Sequence, residues 1–167
     1  MVELFVGEPL FAGANEHDQL CKIIDIKGDL PSIPLLDRCD VSKIQKMFAK
    51  LKDGKYRLIA SKGFKPTHRR ISDIIDAKMK ELSLSEKNIR KEDLPSATDL
   101  IRFKDLIHKM LVYDPNDRIT PSFALHHPFF RPTLSTASST DYIKKEVKMV
   151  LHLLMNLVFF SLIVHSL

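Results

Sequence analysis

The chain has 167 residues, 44% of them hydrophobic and 28% charged, which is typical of a globular domain with one core and not of a disordered protein. Its two cysteines, Cys21 and Cys39, show neither metal-ligand spacing nor a disulfide framework, and they fit a reducing compartment. The net charge of +5 is unevenly spread, because residues 43–70 hold seven Lys and three Arg against one acid, Asp53. This basic stretch either meets an acidic partner or is a solvated surface that keeps the chain soluble.

The first predicted element is a helix over MVELFV, which is apolar on nearly every side. No Ser, Thr, Asp or Asn precedes it to bond the free N–H groups of its first turn. A helix of this kind belongs inside a sizeable protein, so we expect structure ahead of Met1 to bury it. A signal peptide is not indicated, because Glu3 and Glu8 interrupt the apolar run and no basic segment precedes it.

Residues 13–28 predict a helix whose two ends are both marked in the sequence. Asn15 is a suitable N-cap, and Gly28 can supply the left-handed residue that follows a helix. The apolar stripe of this helix consists of Leu20, Ile23 and Ile24. The next segment, DLPSIPLLD, has two prolines within four residues and predicts an irregular crossing.

The basic stretch predicts a helix followed by a small hairpin. Ser42 caps the helix. Its apolar face, at i, i+3, i+4 and i+7, consists of Ile44, Met47, Phe48 and Leu51. Asp53-Gly54 is a turn signal, and KYRLIA alternates as a short strand does, with its partner expected near Gly63-Phe64.

Three more helices are predicted before residue 131. The first lies in RRISDIIDAKMKEL, and a polar loop follows it. The second begins at Ser96 or Thr98 and stops at YDPNDR, because the residue before Pro115 is disfavoured in a helix. Thr120 caps the third, which has a proline at its first position. Strands are too few for an α/β sheet, so the predicted fold class is mainly α with at most a small β-hairpin.

The end of the chain differs in character from the rest. Residues 132–148 are rich in Ser and Thr and predict a polar linker. Residues 149–167, MVLHLLMNLVFFSLIVHSL, contain no Lys, Arg, Asp or Glu and approach the roughly 20 residues that a membrane-spanning helix needs. The flanking Lys144, Lys145 and Lys148 favour a C-terminal membrane anchor, whereas the His and Asn side chains within the segment oppose it.

Two stretches resemble the lower (C-terminal) lobe of eukaryotic protein kinases. GEPLFAGANEHDQLCKI is similar to the segment after the lobe's long central helix in the CMGC group, particularly in the dual-specificity tyrosine-regulated (DYRK) kinases. FKDLIHKMLVYDPNDRITPSFALHHPFF is similar to the end of the kinase fold, with its Asp-Pro turn, arginine and His-Pro-Phe close. The homeodomain-interacting and splicing-factor kinases are similar to a lesser degree. The resemblance implies that residues 1–131 are a partial kinase domain, truncated before the catalytic core, in which residues 29–97 are the CMGC-type insertion.

The resemblance implies no catalytic, cofactor-binding or metal-binding residue in this chain. The full-length family uses ATP and Mg²⁺, which need a glycine-rich loop, a strand lysine, an HRD loop and a DFG aspartate, and the sequence contains none of these. Arg118 matches the family arginine that pairs with the glutamate of the APE motif, which is a structural role. Because the sequence has no APE motif, we expect Arg118 to turn to solvent, or else Asp114 or Asp117 to replace that glutamate.

Two functions remain open. In the first, the chain is a fragment of a DYRK-like serine/threonine (dual-specificity) kinase that in full form transfers the ATP γ-phosphate to protein hydroxyls, and this chain alone is inactive. The family then implies protein substrates and a cytoplasmic or nuclear location. In the second, the chain is a non-catalytic docking module that binds a partner through Lys50, Lys52 and Lys55 and is anchored in a membrane by residues 149–167. Nucleic acid is not favoured as a partner.

Overall fold

The computed structural model describes residues 1–84 and 94–130, and within them the fold is mainly helical with one two-stranded antiparallel sheet. Its elements are α1 (Val2–Val6), α2 (Glu16–Lys27), α3 (Ile33–Arg38), α4 (Val41–Met47), β1 (Phe48–Lys50), β2 (Tyr56–Leu58), α5 (Ile71–Leu84), α6 (Ala97–Met110), α7 (Pro121–Leu125) and a closing 3-10 turn (Pro128–Phe130). The prediction of a mainly α fold with a small hairpin is confirmed.

Some predicted segments fall outside this description. The linker at residues 132–148, the hydrophobic segment at 149–167 and most of the polar loop after α5 lie beyond the described residues. Among the helices that are described, none is both long enough and apolar enough to cross a bilayer.

The helix ends follow their local sequence signals. The Asn15 side chain accepts a hydrogen bond of 2.9 Å from the backbone N–H of Asp18, and Gly28 has φ of 87° at the end of α2. Helix α6 begins with a capping box, in which the Ser96 hydroxyl accepts from Asp99 N and the Asp99 carboxylate accepts from Ser96 N. The predicted Asn15 cap is confirmed, and of the two predicted starts of α6 the structure has Ser96 and not Thr98. Each cap depends on residues within a single turn of the helix.

The prediction of an irregular crossing after Gly28 is wrong, because α3 occupies Ile33–Arg38. Pro34 lies in the first turn of α3, where its missing N–H removes no helical hydrogen bond. Leu36 is buried and anchors this short helix to the core.

The hairpin forms, but its strands pair differently from the prediction. Helix α4 ends at Met47, so Phe48 begins strand β1 and does not continue the helix. Strand β1 pairs with β2 in the register Phe48 opposite Leu58, and the predicted partner near Gly63-Phe64 is wrong. The turn closes where Leu51 N donates to Lys55 O at 2.8 Å, and burial of Phe48 places that strand face on the core.

The N-cap of α4 is Asp40, and not Ser42 as predicted. The Asp40 carboxylate accepts a hydrogen bond from Lys43 N at 3.1 Å and another from the Ser42 hydroxyl at 2.5 Å. An Asp at this position caps as well as a Ser does, so the local signal allowed either start.

Two hydrophobic clusters make up the described core. The first joins α1, α5, α6 and α7, and its buried members include Ile71, Ile75, Phe103, Leu106, Ile107 and Met110. The second joins α2, α3, α4 and β1, and its buried members include Leu20, Ile23, Leu36, Ile44, Met47 and Phe48. Helix α2 contributes to both, since its Ile26 belongs to the first cluster.

Helix α1 is only partly buried by the described residues. Met1 and Val2 are buried in the first cluster, whereas Leu4 is 66% exposed. The expectation that structure ahead of Met1 buries this helix stays a prediction.

Candidate functional site

The turn that follows α6 is built around Arg118, the residue that the sequence singles out. Arg118 is 8% exposed, and its Nε donates to Val112 O at 2.8 Å while its Nη2 donates to Tyr113 O at 3.0 Å. Burial lowers the pKa of the Arg118 guanidinium. The guanidinium therefore ties the start of the turn to its end.

The expectation that Arg118 turns to solvent is wrong. Val112 and Tyr113 lie beyond the end of α6 at Met110, outside its helical hydrogen-bond pattern, and the carbonyl group of each accepts a bond from the Arg118 guanidinium. A charged donor that satisfies two such carbonyls offsets part of the cost of its own burial.

Asp114 contributes to this turn chiefly through its own hydrogen bonds. Its carboxylate accepts from Asn116 N at 2.9 Å and from Arg38 Nη2 of α3 at 2.5 Å. These bonds, that from Asn116 first, lower the pKa of Asp114 despite the opposing effect of desolvation. The Asp114 charge also favours the charged form of Arg118. The alternative in which Asp114 or Asp117 replaces the family glutamate stays a prediction.

Tyr113 packs beneath the turn and brings a second cation to it. Its hydroxyl donates to Asp29 O at 2.9 Å, and Lys27 Nζ lies 4.4 Å from the centre of its ring. Burial and the Asp29 carboxylate raise the pKa of Tyr113. Burial also lowers the pKa of Lys27, which Asp29 opposes and the charge of Arg118 reinforces. Two cations therefore contact Tyr113, which are Arg118 at its backbone carbonyl and Lys27 at its ring.

The three predicted docking lysines are not equivalent. Lys50 Nζ donates to Asp37 Oδ1 at 2.8 Å, and this bond is the first cause of the raised pKa of Lys50. Lys55 lies 3.4 Å from Asp53. Lys52 is exposed, and within residues 1–84 and 94–130 it forms no ion pair. Of the three, Lys52 is the one whose charge faces solvent without a carboxylate beside it in the described structure.

The segment between β2 and α5 is fixed to the polar side of α2. The Asp25 carboxylate accepts bonds of 2.7 Å from both Thr67 N and Thr67 Oγ1, and a third of 3.2 Å from His68 N. Desolvation opposes ionisation of Asp25, but these three bonds outweigh it and lower its pKa. Nearer the start of α2, Ser61 Oγ donates to Asp18 at 3.2 Å. Sequence reasoning missed both contacts, because the partners are more than 40 residues apart.

The His-Pro-Phe motif at residues 127–129 is held in place by its buried histidine. His127 is 5% exposed, and its Nε2 lies 2.8 Å from Asp105 Oδ2 on α6. Its Nδ1 accepts from Phe129 N at 3.2 Å, so in the neutral ring Nε2 carries the proton and donates to Asp105. Lys109 also binds Asp105, at 2.6 Å. Within the described part of the chain, no three His, Cys, Asp or Glu side chains lie together as a metal ion would require.

Comparison with known proteins relates the chain to kinases. No family model matches it. It is 33% identical over 144 residues to homeodomain-interacting protein kinase 2 of Mesocricetus auratus, in a match that covers 80% of this chain and 12% of the relative. It is 27% and 30% identical over 152 residues to dual specificity tyrosine-phosphorylation-regulated kinase 3 of Rattus norvegicus and of Mus musculus, and these matches cover 86% of this chain and 23% of each relative. The chain therefore spans less than a quarter of the length of each of these relatives.

Proposed function

We propose that residues 1–131 are the helical part of the lower lobe of a CMGC-group, DYRK-like protein kinase. In complete form such a kinase transfers the γ-phosphate of ATP to hydroxyl groups of protein substrates. The observation that carries this proposal is the similarity to three kinases over at least 80% of the chain. The buried Arg118 supports it, because the family resemblance assigns that position a structural role.

The 167-residue chain by itself does not transfer phosphate. Phosphoryl transfer depends on charges positioned around Mg²⁺ and the γ-phosphate, and the sequence contains none of the motifs that supply them. ATP and Mg²⁺ therefore belong to the complete kinase, as do its protein substrates and its cytoplasmic or nuclear location.

A chimeric kinase tests the lobe assignment. Residues 1–130 of this chain replace the aligned segment of the rat relative, and transfer of γ-³²P from ATP to a mixed Ser/Thr/Tyr peptide library is measured. We expect the chimera to retain transfer, and we expect the isolated 167-residue chain to show none above a blank without protein. Transfer by the isolated chain contradicts its inactivity, and a folded, ATP-binding chimera without transfer contradicts the lobe assignment.

Two variants of the chimera test the role of Arg118. Arg118→Ala leaves the carbonyls of Val112 and Tyr113 without their donor, which we expect to cost about 1–3 kcal/mol of unfolding free energy. The matched control is Arg57→Ala on strand β2, where an exposed arginine is removed and little change is expected. Equal losses in the two variants would show that Arg118 has no special structural role.

A second candidate function is a non-catalytic docking module. The observation that favours it is that the segment carrying exposed Lys62, Lys65 and Arg69 is fixed to α2 by Asp25 and Asp18. An immobilised polyglutamate peptide should capture the full chain, and Lys52→Glu should weaken capture more than Lys50→Glu, whose lysine is already paired with Asp37.

This candidate function includes anchoring of the chain in a membrane by residues 149–167. Extraction of membranes from cells that express the full chain with alkaline carbonate tests the anchor, and release of the chain into the soluble fraction contradicts it.

A further inference from the structure

An apolar groove lies where the described residues reach their C-terminal end. Its walls are α1, the first half of α6 and the closing 3-10 turn, and its volume is about 280 Å³. The lining residues that matter here are Met1, Leu4, Phe5, Leu100, Phe103 and Phe129.

The groove offers apolar contact and little else. The Phe103 ring lines the groove, and its centre lies 5.7 Å from that of Phe5 and 5.4 Å from that of Phe129. The one carboxylate of the lining, Asp99, is already bonded to the backbone N–H and the hydroxyl of Ser96 in the capping box. Leu4 is 66% exposed at the rim and extends the apolar surface of the groove. Contact of such a surface with water is unfavourable in free energy, so a covering apolar group would stabilise it.

We propose that this groove binds apolar side chains of the hydrophobic segment at residues 149–167 of the same chain. That segment contains no Lys, Arg, Asp or Glu, so its composition matches a lining that provides no partner for charge. The volume lies near the lower limit for a ligand pocket, so the groove receives a few side chains and not a whole helix.

The position at which the chain leaves the described structure favours this occupant over others. Phe129 lines the groove and Phe130 is the last described residue, so the following residues start at the edge of the groove. Eighteen residues, 131–148, separate Phe130 from the hydrophobic segment, and a flexible linker of that length would span about 20–25 Å. A connection of this kind gives an effective concentration of the order of millimolar, which a second copy reaches only at very high protein concentration.

A single tryptophan reports whether the groove is covered. The sequence has no Trp, so Leu4→Trp places one fluorophore at the rim of the groove of the full chain. The matched control is Phe123→Trp on α7, where the side chain is 73% exposed and does not line the groove. We expect Leu4→Trp to emit at shorter wavelength than the control and to be less quenched by acrylamide. Combining it with Phe159→Asp and Phe160→Asp should abolish both differences.

Every other outcome overturns the proposal. Emission of Leu4→Trp that equals the control while the tail is unsubstituted means that nothing covers the groove. A difference that survives the two tail substitutions means that residues 149–167 are not what covers it. A shift in the emission wavelength of Leu4→Trp that grows with protein concentration means that a second copy of the chain covers the groove. A shift that appears only with anionic phospholipid vesicles means that residues 149–167 bind a membrane surface. If the paired substitutions alter the far-UV circular dichroism, Leu157→Asp alone replaces them. The readout is a contact within the chain, so it does not depend on whether the kinase proposal holds.

Discussion

At the scale of single residues, Asp25 shows how one partly exposed carboxylate fixes a distant segment. It lies on the polar side of α2 and accepts three hydrogen bonds from Thr67 and His68. His68 has φ of 54°, a left-handed conformation that is uncommon outside glycine, and its bond to Asp25 holds it there. Arg70 then donates from Nη1 to Asp25 O at 2.8 Å. The course of the backbone between β2 and α5 therefore depends on one helix position.

The lowered pKa of Asp25 predicts a dependence of stability on pH. Because the folded-state pKa lies below the unfolded value of about 3.9, the contribution is complete above that value and is lost as pH falls through the folded pKa. Asp25→Asn removes the charge but keeps the shape, so we expect a loss of about 1 kcal/mol at pH 6 that shrinks below pH 3.5. Urea unfolding at a series of pH values measures it.

The control for this prediction is Asp53→Asn, at an exposed carboxylate in the hairpin turn. At pH 6 its loss should be the smaller of the two, since the Asp53 side chain accepts one backbone hydrogen bond, from Lys55, where Asp25 accepts three hydrogen bonds. A loss for Asp25→Asn that is constant from pH 6 to pH 2.5 would mean that the ionised carboxylate is not what fixes the segment.

At the scale of elements, helix starts differ in whether the capping side chain is used. Ser96 exchanges hydrogen bonds with Asp99 in a capping box at the start of α6. Ser32 occupies the same N-cap position before α3, but its side chain makes no capping hydrogen bond. Two serines in one chain therefore share a position on a helix and differ in the bond they contribute.

This difference makes a paired prediction. Ser96→Ala should cost about 1 kcal/mol of unfolding free energy, because it leaves the Asp99 N–H without its acceptor. Ser32→Ala should cost only a few tenths of that, since it removes no such bond. Chemical denaturation of both variants measures the effect, and a loss for Ser96→Ala no greater than that for Ser32→Ala would contradict a stabilising role of the capping bond.

At the scale of the whole molecule, the two hydrophobic clusters are joined by side chains that they share. Helix α2 places Ile26 in the first cluster and Ile23 in the second. Phe11 and Leu111 each pack against both. Shared walls of this kind couple the two clusters, since neither can lose its packing without exposing side chains of the other.

Substitutions in either cluster should therefore lower the midpoint of one common unfolding transition. Ile75→Ala in the first and Ile23→Ala in the second each remove a nearly fully buried side chain and should cost about 2–4 kcal/mol. The unfolding midpoints followed by far-UV circular dichroism and by the near-UV signal of the tyrosines should fall by the same amount in both variants. Ile101→Ala, at a position 67% exposed on α6, is the control with little expected effect. A near-UV transition that stays in place in Ile75→Ala would show two independent units.

The sequence by itself determined the features that depend on neighbouring residues. The helical class, the caps at Asn15 and Ser96, and the turn at Asp53-Gly54 were all predictable, because each arises from contacts within a few residues. Tertiary structure alone decided the strand pairing of Phe48, the inward orientation of Arg118 and the bonds of Asp25 to Thr67. These depend on which surfaces meet and on which buried carbonyl or amide groups still need a partner, and that choice is made between segments far apart in the chain.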